Sequence, residues 1–196
     1  MIDLRVFFKS NILFKAKEYG IDIEDDNPKI KKILKELKDS ESLGYQYEGA
    51  EGSFELLMRN ALGEETKFFE FVGFRVIVEK RQEDETPISE ATVKIRVNGE
   101  HEVSTAEGHG PVNALDKAIR KALIKFYPEL EEINLFDYKV RILEEKKGTT
   151  AKIRVLIESG DNHEKWGTVG VSENIIEASW QALLDSIHYK LMKSNS

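Results

Sequence analysis

Apolar residues fall at helical spacing in the first third of the chain and at alternate positions afterwards. Ser10 to Tyr19 reads as a short helix ended by Gly20. Asn27-Pro28 then predicts a helix start, with Asn as N-cap and Pro at the first helical position. Ile30, Ile33, Leu34 and Leu37 form one apolar stripe, and Gly44 ends it. A third helix is expected from Ala50 to Leu62, with Phe54, Leu57, Met58, Ala61 and Leu62 on its apolar face and Gly63 as its stop. Three such helices make a small helical piece, too thin for a self-sufficient bundle.

From Phe68 the period becomes two. Phe74, Val76 and Val78 alternate with Arg75, Ile77 and Glu79, and Thr92-Val93-Lys94-Ile95-Arg96-Val97 alternates as a strand with one wet face should. A third strand, about Glu102 to Ala106, leads into a helix from Pro111, which carries Val112, Leu115, Ala118, Ile119, Ala122, Leu123 and Phe126. The order then repeats. Tyr138, Val140 and Ile142 begin a strand, and Thr150-Ala151-Lys152-Ile153-Arg154-Val155 resembles Thr92 to Val97. A strand near Trp166 to Val169 precedes a last helix carrying Ile176, Trp180, Leu183, Leu184, Ile187 and Leu191. Matching the two hexapeptides makes the second hairpin the longer, through Glu158 to Lys165, with Asp161-Asn162 at its tip. The fold class is α+β: a helical region over residues 1–66, then two pseudo-symmetric βββα units over 67–196. A three-stranded sheet with one helix leaves a face bare, which predicts self-association.

The two strand-to-helix turns are alike. Moving the first forward by 64 places Ala114 on Ala178, Ala118 on Ala182 and Ile119 on Leu183. Each turn bears glycines, Gly108 and Gly110 in one, Gly167 and Gly170 in the other. Glycines here serve either tight turns and close backbone approach or a small-ligand pocket of backbone amides at a helix N-terminus. Trp180, by its helical spacing, belongs to the core.

Charge and composition remove other classes. The net charge of −7 argues against nucleic acid. The basic cluster Lys29, Lys31, Lys32, Lys35 and Lys38 reads as the solvated face of a helix. No window reaches the length of a membrane helix and no signal peptide is visible, so a cytoplasmic protein without a membrane partner is expected. There are no cysteines, and His101, His109, His163 and His188 show no HxH, HExxH or HxxxH spacing, so no metal ligand set, cofactor or thiol nucleophile is expected. Gly108-His109-Gly110 lacks the third glycine of a dinucleotide fingerprint, and His109 reads as an exposed loop residue. Glu48 with Glu51, or Asp25 with Asp26, are better read as solvation than as acid and base. No catalytic residues are expected.

Several longer motifs point to a family. Gly108 to Ala114, Tyr127-Pro128-Glu129-Leu130, Asp137 to Arg141 and Trp166 to Trp180 together resemble the C-terminal regulatory domain of the 2-isopropylmalate synthase superfamily. Gly44-Tyr45-Gln46-Tyr47-Glu48-Gly49-Ala50-Glu51-Gly52-Ser53-Phe54-Glu55-Leu56-Leu57 resembles the linker of its citramalate synthase branch. The resemblance covers roughly residues 9–193 and leaves out Met1 to Phe8. It implies a parent enzyme whose metal-dependent barrel, with an HxH motif, condenses acetyl-CoA with a 2-oxo acid. It also implies a linker and a homodimeric regulatory domain that binds leucine or isoleucine and inhibits the barrel. This sequence holds neither barrel nor HxH.

On that reading the effector partner is a free branched-chain amino acid, isoleucine ahead of leucine. Its site is expected at Gly108, Gly110, Pro111, Val112, Asn113, Leu115 and Asp116, with Gly170, Val171, Ser172, Asn174, Ile175 and Ile176. Helix-start amides would meet its carboxylate, and a carbonyl, Asn113 or Asp116 its ammonium. Val112, Leu115, Val171, Ile175 and Ile176 would wall its side chain. The alternative is a dimerisation or docking module for a separate barrel, with no effector.

Overall fold

The computed structural model describes residues 4–21, 23, 24, 27–143 and 151–195. Asp25, Asp26 and Thr150 lie outside the described residues. Helix α1 spans Leu4–Glu18, longer than its apolar pattern predicts, and Gly20 follows it at φ 67°. Helix α2 spans Lys29–Leu43. The Asn27 side chain accepts from the Lys29 amide at 2.9 Å, the predicted capping role. Gly44 ends α2 in the left-handed conformation, as Gly63 ends α3 (Glu51–Leu62). Ile12, Ala16, Ile33, Leu37, Phe54 and Met58 share one small core. The five lysines of the basic cluster are all exposed.

Helix α3 buries more than the predicted face. Gly52, Ser53, Glu55 and Leu56 are also buried, because α3 packs on α2 with one side and on the last helix and last strand with the other. The helical piece is thus joined to the β region through α3.

Six strands follow in two antiparallel sheets. Strands β1 (Glu70–Glu79), β2 (Ile88–Val97) and β3 (Glu100–Gly108) form one, in the order β1-β2-β3. Helix α4 (Pro111–Leu123) and a 3-10 turn at Pro128–Glu132 come next. Strands β4 (Asn134–Ile142), β5 (Ile153–Gly160) and β6 (Lys165–Ser172) form the second sheet, closed by helix α5 (Ile175–Ser194). The two βββα units are therefore present as expected.

Their register corrects one expectation. Ser89 pairs with Gly108 and Ile153 with Ser172; Val93 pairs with Ser104 and Ile157 with Thr168. Even the bulges correspond, at Phe71/Gly73 and Leu135/Asp137. All these positions differ by the same 64, so the second hairpin is not longer than the first. The similar hexapeptides are out of structural register: β5 begins at Ile153, inside the second one. Alternation by two tolerates a shift of six without moving any side chain to the other face, so both registers satisfied the pattern. The turn tips do differ. Asn98 and Gly99 take positive φ, 51° and 84°, as a two-residue hairpin turn of the I′ type requires. In the second hairpin the Asp161 carboxylate accepts from the amides of His163 and Glu164, at 2.7 and 2.9 Å.

Each helix covers two strands of its own sheet, α4 over β2 and β3, α5 over β5 and β6. The helices also meet each other, and one core runs through both units, with Val93, Ile95, Leu115, Ile119, Ile157, Trp180 and Leu183 in it. Trp180 is core, as predicted from its spacing. The first strand of each sheet is left half covered. Phe71, Phe74, Val76 and Val78 pair with inward-facing Ile95, Val93, Ala91 and Ser89, so they share the helix-side face. Phe71 and Val78 are nonetheless 44% and 57% exposed, and Val140 and Ile142 on β4 are 40% and 57% exposed.

Candidate functional site

The first turn is open. Gly110 is the N-cap of α4, in extended backbone, and a Cβ there would meet nothing within 4 Å. No described side chain caps this helix; Pro111 opens it, and the Ala114 amide bonds the Gly110 carbonyl at 2.9 Å. Gly108 is needed for another reason: a Cβ would press on the Ala114 amide, at 2.5 Å, and the Asn113 carboxamide, at 2.8 Å. Asn113 is exposed, and its Oδ1 accepts from the His109 amide at 3.2 Å. Val112 is half-buried, whereas Leu115 lies in the core. Asp116 is buried and paired with Arg120, which also donates to the Ile133 carbonyl. Burial raises the Asp116 pKa, and Arg120 opposes that shift. A cavity of about 430 Å³ beside this turn is lined by Thr86, Pro87, Ile88, Glu107, Gly108, His109 and Lys117.

The sequence pattern predicts Gly167 and Gly170 in the second turn, but they lie within strand β6, paired with Glu158 and Val155, and the chain itself fills the space beside them. A Cβ on Gly170 would collide with the carbonyl oxygen of Ala178, and one on Gly167 with that of Gly49. Neither they nor Gly110 has a positive φ. Close approach is what demands glycine at 167 and 170, not turn conformation. The Val171 amide donates to Gln181 Oε1 at 3.0 Å, which also accepts from Tyr45 at 2.9 Å. Asn174 caps α5, its Oδ1 accepting from Ile176 and Glu177 amides at 2.8 and 3.3 Å, and Ser172 Oγ accepts from the Asn174 amide at 3.1 Å. Ile175 is exposed and Ile176 half-buried. The two helix starts are equivalent in fold and unlike in chemistry: amides that Asn174 occupies on α5 have no side-chain cap on α4.

Besides Asp116, the chain holds buried charges away from the α4 start, in positions the periodicity did not single out. Glu55 on α3 is fully buried and meets Arg59 at 2.9 Å and Lys193 at 2.9 Å; Arg59 also donates to the Tyr19 carbonyl at 3.0 Å. Buried Ser53 donates to Asp185 on α5 at 2.5 Å and accepts from the Val169 amide at 3.0 Å. Desolvation raises the Asp185 pKa to about 6, opposed by the Ser53 bond. One turn on, His188 stacks on Phe69 at 4.4 Å, and burial, then the nearby Lys67 charge, lowers its pKa to about 4. The available signal was the run of small residues on α5, Ala178, Ser179, Ala182 and Ser186, which lets neighbours approach every side of it. Among the described residues no group of three or more His, Asp or Glu is placed to hold a metal ion, and no helix is long and apolar enough to cross a membrane.

Comparison with known proteins shows the family of the chain. The chain is 60% identical over 186 residues to an (R)-citramalate synthase of Geobacter sulfurreducens, covering 95% of this chain and 35% of that protein. It is 54% identical over 185 residues to the (R)-citramalate synthase of Aquifex aeolicus, covering 94% and 35%. A 2-isopropylmalate synthase of Aquifex aeolicus is 34% identical over 112 residues, 57% of this chain and 20% of that protein. The chain spans about a third of the length of the citramalate synthases it matches. The model of the LeuA allosteric (dimerisation) domain matches residues 48–191, the segment that runs from α3 through both βββα units. The chain belongs to the LeuA allosteric (dimerisation) domain family.

Proposed function

We propose that this chain is the regulatory and dimerisation portion of a citramalate synthase, responding to isoleucine, or less strongly to leucine, as end product. Residues 1–66 act as linker and 67–196 as sensor, and catalysis belongs to a barrel that these 196 residues do not contain. The observation that carries the reading is the family match over both βββα units, joined to 60% identity with a protein named as a citramalate synthase. The first turn supports an effector site: an uncapped helix start beside a cavity is suited to a carboxylate. Gly108, Gly110, Pro111, Val112 and Asn113 form this part of the site. Leu115 and Asp116 back it from the core. At the second helix start, Val171, Ser172, Asn174, Ile175 and Ile176 contribute their exposed atoms, chiefly the Ile175 side chain, while buried Gly170 lets α5 approach β6 behind them. Self-association is supported by the apolar strips on β1 and β4, which a second copy would cover. Effector and dimer are coupled in this scheme: the ligand favours one arrangement of the pair, and the linker passes that bias to the barrel.

A thermal-shift screen over free amino acids tests the reading. A ligand specific for the folded state, at about 100 times its dissociation constant, adds about 2.7 kcal/mol. Isoleucine is expected to give the largest shift. Equal, negligible shifts for all amino acids would favour the dimerisation and docking module.

A further inference from the structure

A second cavity, of about 330 Å³, lies against the middle of α5, and two residues of its lining reach the β6 backbone, Tyr45 at Val171 through Gln181 and Ser53 at Val169 directly. Tyr45, Tyr47, Ser53, Leu57, Asn60 and Asp185 line it. Lys67 and His188 line both this cavity and an adjoining one of about 690 Å³. Its chemistry is asymmetric. Among the described residues the Asp185 carboxylate receives one hydrogen bond, from Ser53 at 2.5 Å, and forms no direct ion pair. Asp185 is half-buried, and a partly desolvated carboxylate gains from a cation beside it. The hydroxyls of Tyr45 and Tyr47 are donated to Gln181 and Ser40, at 2.9 and 3.0 Å. The two rings stack on each other, 6.3 Å apart and 19° from parallel, and Tyr47 also packs on Phe54 at 5.4 Å, so an occupant meets only the ring surface that the pair turns to the cavity. Glu36 adds a second carboxylate to the lining. His188 adds no positive charge at neutral pH, and among the described residues exposed Lys67 is the one cation in the lining.

We propose that this cavity binds a small organic ammonium group, with Asp185 as its counter-ion and the rings of Tyr45 and Tyr47 as its walls. The cavity sits where the helical piece meets the β units, so its occupant touches α3, α5 and the segment before β1 together. The ammonium could come from a simple amine or from the amino end of a zwitterion, and the probes separate these.

The test is titration of the whole chain with n-butylammonium chloride, tetramethylammonium chloride and L-isoleucine, followed by calorimetry and by amide chemical shifts. Both ammonium salts are expected to bind saturably, moving the amides of Leu57, Asn60 and Thr66. Asp185→Asn keeps the shape and an acceptor for Ser53, and should weaken butylammonium by about tenfold or more. Tyr47→Leu removes a ring but not the charge, and should weaken tetramethylammonium more than butylammonium; this variant serves if Asp185→Asn fails to fold. Lys67→Met removes a competing cation and should tighten binding. If Asp185→Asn also weakens isoleucine at these same amides, the ammonium belongs to an amino acid; if it leaves isoleucine unaffected, the site takes simple amines. Either supports the proposal. Non-saturable butylammonium shifts in the wild type, or undiminished binding by a folded Asp185→Asn, would overturn it. So would a Lys67→Met chain that loses stability and binds no better, since Lys67 would then be the counter-ion.

Discussion

A glycine in this chain is informative only once its neighbours are known. Gly167 lies within β6 and Gly110 at the start of α4, and one is pinned against the Gly49 carbonyl while the other faces open space. Gly167→Ala should therefore destabilise by about 1–3 kcal/mol through overpacking, and Gly110→Ala by under about 0.5 kcal/mol; urea denaturation measures both. The pair Asp185 and His188 makes a second residue-scale prediction. The Asp185 pKa is raised from 3.8 to about 6, so the folded state holds its proton more tightly, and its stabilisation is lost as pH rises through that window. The His188 pKa is lowered from 6.5 to about 4, so its contribution is present above 6.5 and lost as pH falls toward 4. The two slopes oppose each other between pH 4 and 6. Relative to wild type, Asp185→Asn should gain stability as pH rises across that interval and His188→Gln should lose it, each on the order of 2 kcal/mol. Denaturation midpoints at both ends of the interval check the signs; slopes of the same sign would contradict the burial of these groups.

At the scale of elements, the sequence and the structure agree on kind and order and part on register. The helix pattern of α2 and the alternation of β2 each bury one clear face, so both were readable from period alone. The hexapeptide likeness misled because alternation repeats every second residue. The helix starts already gave an offset of 64, and the pairing of Ile153 with Ser172, matching Ser89 with Gly108, extends it to the strands. The partial occlusion of the second turn was also out of reach, since it depends on α3 returning to β6 across more than a hundred residues. That offset carries a prediction: it superposes the N-caps Gly110 and Asn174. Gly110→Asn should add to α4 the cap that α5 already has, changing stability by only a few tenths of a kcal/mol. Its side chain would occupy the helix-start amides, so effector binding should weaken while the melting temperature holds. Unchanged isoleucine affinity in a well-folded Gly110→Asn chain would remove the carboxylate from the α4 start.

For the whole molecule, the half-covered first strand of each sheet is the feature that a lone chain leaves unresolved. Phe71 and Phe74 lean on Trp180 of the other unit, with ring centroids 4.9 and 5.2 Å away, so this surface is continuous with the core. Val78 and Ile142 lie at the exposed ends of the two strips. Val78→Lys with Ile142→Lys places two charges there without touching a buried residue, and should convert a dimer to a folded monomer by light scattering. Dimers that persist in the double variant would place the interface elsewhere.

The regulatory reading stands or falls on whether the chain recognises a branched-chain amino acid. Calorimetric titration of the dimer with isoleucine, and separately with leucine, measures this without any catalytic partner. The account predicts saturable binding in the micromolar range with isoleucine the tighter; absence of heat from either at millimolar amino acid, with the dimer intact, would contradict it.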